Sequence, residues 1–206
     1  MRFFSLCLLL SAGLAPVSGE TNTPAPTLSR EQVMEQFAEH ALKGFQAEQA
    51  KKLSEAVDHY SKALELQPES IYALIRRGIC LARLGRNEEA AADLRKATAA
   101  GIQARTVSDF SSLAWLRATS PISRFRDGAV AVTLAQRALR EQESADHYDI
   151  LAAAYAEMGN FEQARQTLDR GIKKFPDSPR IPAMKNRMKL YLERKKFQET
   201  WEIERS

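Results

Sequence analysis

Cysteine is almost absent: Cys7 and Cys80 are the only two in 206 residues. Cys7 falls inside an apolar opening stretch, so the folded part keeps one thiol, which excludes an internal disulfide and a cysteine-based zinc site. On a helical stripe, Cys80 reads as a small apolar core residue. Histidine is nearly as scarce. His40, His59 and His147 stand far apart with no His-x-x-x-His or Cys-x-x-Cys pair, so no metal-ligand spacing exists. His147 and Asp149 are close in sequence but diverge on a helix, where next-but-one neighbours do not face each other. Gly85, Gly128 and Gly159 are isolated turn residues, and neither a phosphate-cradling loop nor a G-x-S-x-G elbow occurs. Charge of one sign is also lacking. Thirty basic and 26 acidic residues leave a net +4, so no strong field draws nucleic acid or a membrane surface. The absences argue against an enzyme, a metal, a cofactor and a nucleic-acid partner.

No apolar run is long enough to cross a bilayer, which takes about 20 residues. The longest, Phe3–Leu14, follows Arg2 and precedes Val17-Ser18-Gly19, the layout of a secretory signal peptide over residues 1–19. Export, periplasmic or secreted, is therefore expected, with no stable membrane insertion after cleavage. Residues 20–28, rich in Pro and Thr, read as a flexible tether. Order should begin near Leu28, where Ser29 and Gln32 form a capping box and Leu28 with Val33 a hydrophobic staple.

What is present is helix-forming and periodic. Composition is that of a globular chain, 44% hydrophobic and 27% charged, low in Gly and Pro. Gly44 and Gly78, Ala56 and Ala90, Tyr60 and Leu94, and Ala63 and Ala97 are each 34 residues apart. Within 71–97, Leu74, Gly78, Leu81 and Leu84 make one helical stripe, Gly85-Arg86-Asn87 a break, and Ala90, Leu94 and Ala97 a second stripe. Small residues at 78, 90 and 97 let two backbones approach while leucines fill the gaps. Over 145–178 the pattern is Tyr148, Leu151, Ala152, Tyr155, Met158-Gly159-Asn160-Phe161, Ala164, Leu168, Gly171 and Pro176.

With this period and these residues the chain resembles the tetratricopeptide repeat family. The stretch SSLAWLRATSPISRFRDGAVAVTLAQRAL resembles the LAWLLAT…P…RDG…AV.LA variant of many bacterial tetratricopeptide proteins. There Pro121 ends a helix early and Ser120–Arg126 makes a longer loop. The resemblance implies an all-α fold, a right-handed α–α superhelix (a tetratricopeptide solenoid) with a C-terminal capping helix. Its domain spans 29–178, in units of about 37–70, 71–104, 108–144 (irregular) and 145–178. Residues 179–206 then form the capping helix and tail, with Ser178 as cap and Pro179 in the first turn. On the capping helix Ile181, Met184, Met188, Tyr191 and Leu192 form the apolar stripe, with Arg187 on the polar side.

In such a fold, function belongs to the concave face, and the resemblance implies non-catalytic binding of a protein or peptide partner there, within the cell envelope. The register puts Tyr72, Arg76, Ile79 and Arg83 of the second unit in that groove, with Leu116 and Arg117 from the third. The fourth adds Asp146, Asp149 and Glu157, and the first Phe45. Arginines at one end and acids at the other suggest a peptide aligned by a charge gradient. The family's carboxylate clamp for heat-shock proteins needs lysine and asparagine where Leu42, Phe45 and Ile79 stand here. An alternative is a structural subunit docking through its convex face or through Phe197 and Trp201 of the tail.

Overall fold

A computed structural model of the protein describes residues 28–100 and 104–201. The expected signal peptide, most of the expected tether and the last five residues of the tail lie outside the described residues. Nine α-helices occur among the described residues and no strand: α1 (Arg30–Gln49), α2 (Leu53–Leu66), α3 (Ile71–Arg83), α4 (Asn87–Ala99), α5 (Val107–Thr119), α6 (Gly128–Glu141), α7 (Ala145–Glu157), α8 (Phe161–Lys174) and α9 (Ile181–Leu192). Helices pack in successive pairs, α1 on α2 through α7 on α8, and the front helices α1, α3, α5 and α7 also touch in series. This is the expected all-α helical repeat solenoid.

The small residues of the repeat explain the pairing. Ala56, Ala90, Ala131 and Ala164 are all buried at the back-helix position, where a larger side chain would hold the backbones apart. Gly171 is tighter still, since a Cβ there would lie 2.6 Å from Tyr148 Cβ. Leu74, Leu94, Phe110, Leu116 and Leu168 fill the spaces between, each fully buried side chain worth about 1.5–3 kcal/mol of transfer free energy. In the first unit His40 and His59 meet across the pair, their Nδ1 atoms 3.4 Å apart.

Three of the four pairs share one turn. The residue at its centre is left-handed, with φ of 60° at Lys51, 77° at Gly85 and 81° at Gly159. Around each, a backbone N–H reaches five residues back, Lys52 to Ala47, Arg86 to Leu81 and Asn160 to Tyr155, all at 2.9 Å. These bonds satisfy carbonyls that a helix end leaves orphaned. The third pair differs as expected. Pro121 follows α5, a short 3-10 turn at Ser123–Phe125 tucks Phe125 into the core, and Asp127 caps α6.

At the ends, some expectations are corrected. The Ser29–Gln32 capping box is formed in both directions. Leu28, however, is largely exposed and is no staple. The first front helix begins at Arg30, directly after that cap. The end helix starts later than expected, at Ile181, with Arg180 as its N-cap and Pro182 in the first turn. Pro182 is the cause, because a start at Pro179 would put it where the helix needs an N–H. Along α9, Ile181, Met184 and Tyr191 are buried as expected, but Leu192 is exposed and Arg187 is inside. Helix α9 packs on α8 and α7 as the front helix of a fifth unit. Among the described residues no back helix follows it.

Candidate functional site

The front helices line a trough, with a buried carboxylate near each end. At the far end Asp149, on α7, has no solvent exposure. It accepts hydrogen bonds from Arg180 Nε at 2.7 Å and Arg187 Nε at 2.6 Å, and a second Arg187 nitrogen also donates to it. Buried carboxylates require such charge-assisted partners. The same guanidiniums roof aromatic rings, Arg187 lying 5.4 Å from the Trp115 centroid and 4.8 Å from that of Phe197.

At the near end the carboxylate is Glu48, on α1, paired with Arg76 Nη2 at 2.5 Å and accepting from the Tyr60 hydroxyl at 3.2 Å. Burial alone would lower the Arg76 pKa, but Glu48 beside it holds it above the ordinary arginine value. Burial pushes the Tyr60 phenol up, and pushes the neighbouring Cys80 thiol up to about 12. Arg76 also faces the ring of Phe45 at 5.9 Å. Its Nε is buried without a hydrogen-bond partner.

Between the two ends lies the chain's own tail. Helix α9 closes with the same left-handed turn as the repeats, at Arg194 (φ 58°), with Lys195 N–H donating to Leu190 O at 2.9 Å. From there residues 195–201 run back along the trough without helix. Lys196 Nζ lies 3.4 Å from Glu157 Oε1, and Phe197 stacks 5.8 Å from Trp115. The Glu199 N–H donates to Thr119 O at 2.8 Å. Glu199 in turn accepts from two indoles, Trp115 Nε1 at 2.6 Å and Trp201 Nε1 at 3.0 Å. Trp201 packs against two apolar clusters, one within the first two units and one that runs from the first unit into the third. Beside it is a cavity of about 500 Å³, bounded by Glu48, Lys51, Arg76, Ile79 and Arg83 on one side and by the tail on the other.

The sequence-expected groove residues therefore divide. Phe45, Tyr72, Arg76, Ile79 and Arg83 gather at the near end, although Ile79 is buried and serves the core as well. Leu116 is fully buried in the core cluster it shares with Ile75 and Ile79, where the matching Ile75 of the second unit is buried as well. Arg117 Nε is buried without a partner. Asp146 is exposed, 3.4 Å from Arg180 Nε. Glu157 is held by Arg126 and Lys196, and Asp149 is consumed by Arg187 and Arg180. The expected charge gradient is thus largely neutralised inside the molecule. Phe197 and Trp201, expected as the tail's contact in the alternative reading, are docked in the trough. Sequence reasoning missed Glu48, Thr119 and Arg187. Glu48 and Arg187 meet partners 28 and 38 residues away in the numbering, distances that no helical period links.

Among the described residues no three His, Cys, Asp or Glu side chains converge as a metal would require, and no helix is long and apolar enough to cross a membrane. Two models of the tetratricopeptide repeat match the chain, one over residues 47–105 and the other over 126–188. A solved chain described as the crystal structure of MamA protein aligns over 78% of this chain and 90% of its own, at 17% identity and a TM-score of 0.45. No curated protein matches.

Proposed function

Because the chain is a tetratricopeptide repeat protein, a class of generally non-catalytic interaction modules, we propose that it binds an extended segment of a protein partner along its trough. The observation that supports this reading most is the seating of residues 195–201 there. The trough already accommodates one polypeptide, through aromatic stacking, a backbone hydrogen bond and carboxylate recognition. The near-end cavity supplies room for further groups. Export to a bacterial cell envelope is the compartment that the opening apolar stretch supports.

Site-specific photo-crosslinking in intact cells tests the reading. A photoreactive residue at Phe45 or Lys51, on the trough side, is expected to capture another polypeptide. One at Lys96, on a back helix, is expected to capture none. Capture from Lys96 alone would instead support the structural-subunit alternative, in which the convex face docks. Alkaline phosphatase fused after Ser29 should be active if the opening stretch exports the chain, and inactive otherwise.

A further inference from the structure

We infer that the trough selects partner segments in which an aromatic residue, a carboxylate and a second aromatic alternate, and that residues 197–201 are the built-in competitor such a segment displaces. The inference rests on the binding role proposed above and specifies its ligand.

The tail behaves as an extended ligand. Phe197, Glu199 and Trp201 are half-buried while Gln198 and Thr200 are exposed, the period of two that an extended chain presents to a surface. Each inward position meets a prepared partner. Phe197 touches both the Trp115 ring and the Arg187 guanidinium, and that guanidinium is held by Asp149. The Glu199 carboxylate takes an indole N–H on each oxygen. An amide in its place would offer one acceptor and turn a donor toward the other indole. The Glu199 N–H meets Thr119 O, a carbonyl at the end of α5 that lacks a helical partner because Pro121 stops the helix. Thus the backbone contact fixes register, and the side chains fix the pattern.

The hold is also built to open. Both aromatics of the tail keep part of their surface in water. The tail leaves α9 through Arg194 in the left-handed region, a conformation that favours glycine. A tethered segment acts at an effective concentration in the millimolar range, so it suppresses weaker free segments and yields to one that adds contacts in the neighbouring cavity.

The test uses a fluorescein-labelled peptide of residues 195–201, KKFQETW, with the full chain and a full chain carrying Phe197→Ala and Trp201→Ala. The peptide should bind the opened chain at least about tenfold more tightly than the unaltered one. A peptide with Gln for the Glu, and one of scrambled order, should each bind the opened chain at least about tenfold less well. On the unaltered chain, excess peptide should speed hydrogen exchange at the Glu199 amide, a readout independent of how the variant folds. Equal affinity for the two chains, or unchanged exchange at Glu199, overturns the competitor. If the scrambled peptide binds as well as the native one, selection falls while trough binding stands. If no peptide binds an opened chain of native helical content, the selection and the binding role both fall.

Discussion

The two ends of the trough use the same parts to different depths. Each sets a front-helix carboxylate against an arginine and aromatic rings. At the far end Asp149 has no exposure, Arg187 is nearly as buried, and a second arginine completes the site. At the near end Glu48 has one arginine, whose side chain keeps 22% of its surface and whose Nε lacks a partner. The difference is one of enclosure. A carboxylate surrounded on all sides joins α7 to the capping helix, whereas a partly open pair beside a cavity retains bonding capacity for something else.

Deleting the carboxylates should break or sharpen that contrast most. Asp149→Ala strands two guanidiniums, one of them deeply buried, and is expected to lower stability by about 3–5 kcal/mol in urea unfolding. Glu48→Ala should lower it by only about 1–2 kcal/mol, since Arg76 can turn to water. Equal losses would erase the distinction.

Packing should show a smaller version. Gly171→Ala puts a Cβ against Tyr148 Cβ, close to rigid backbone, with an expected loss of about 2–3 kcal/mol. Gly44→Ala meets the ring edge of Tyr60 at 2.8 Å, and should lose about 1 kcal/mol as the ring moves. A larger loss at Gly44 would mean the near end is the stiffer one.

The left-handed positions should give gains. Lys51→Gly, at the turn where the other repeats have Gly85 and Gly159, is expected to add about 0.5–1 kcal/mol. Arg194→Gly should add less, since it forfeits the contact of the Arg194 guanidinium with Phe161 at 5.6 Å. Thermal unfolding of the two single variants decides the order.

The smallest effect at neutral pH belongs to Cys80. Its thiol is raised by burial from the ordinary value near 9 to about 12. The folded state therefore holds the proton more firmly, so this stabilisation is complete below pH 9 and disappears as pH rises toward 12. The urea midpoint of the unaltered chain should be indifferent to Cys80 ionisation between pH 6 and 8. Above pH 9 it should fall faster than that of Cys80→Ala. Parallel curves would show that the thiol ionises as freely in the folded state.

Much of the architecture was legible in the amino acids. Alanines and glycines at a 34-residue period mark where two helices touch, because only small residues permit that approach, and Gly85 and Gly159 mark turns that need a positive φ. Pro121 announced the long loop of the third unit. The site was legible only in part. Leu116 and Asp149 were expected in the groove from helical register, but register gives a direction around one helix and says nothing about what stands opposite. Arg187 was read as a solvent-facing cation for the same reason, although Asp149 awaited it.

By itself, then, the sequence determined the repeat, the helix pairs and the turns at Gly85 and Gly159, since these follow from local spacing and from side-chain size. Only the tertiary structure decided which charges remain available and what lies in the trough. Those outcomes depend on residues brought together across units, Asp149 with Arg187 and Glu199 with Trp115, 38 and 84 positions apart. Local periodicity carries no information about pairs at such separations.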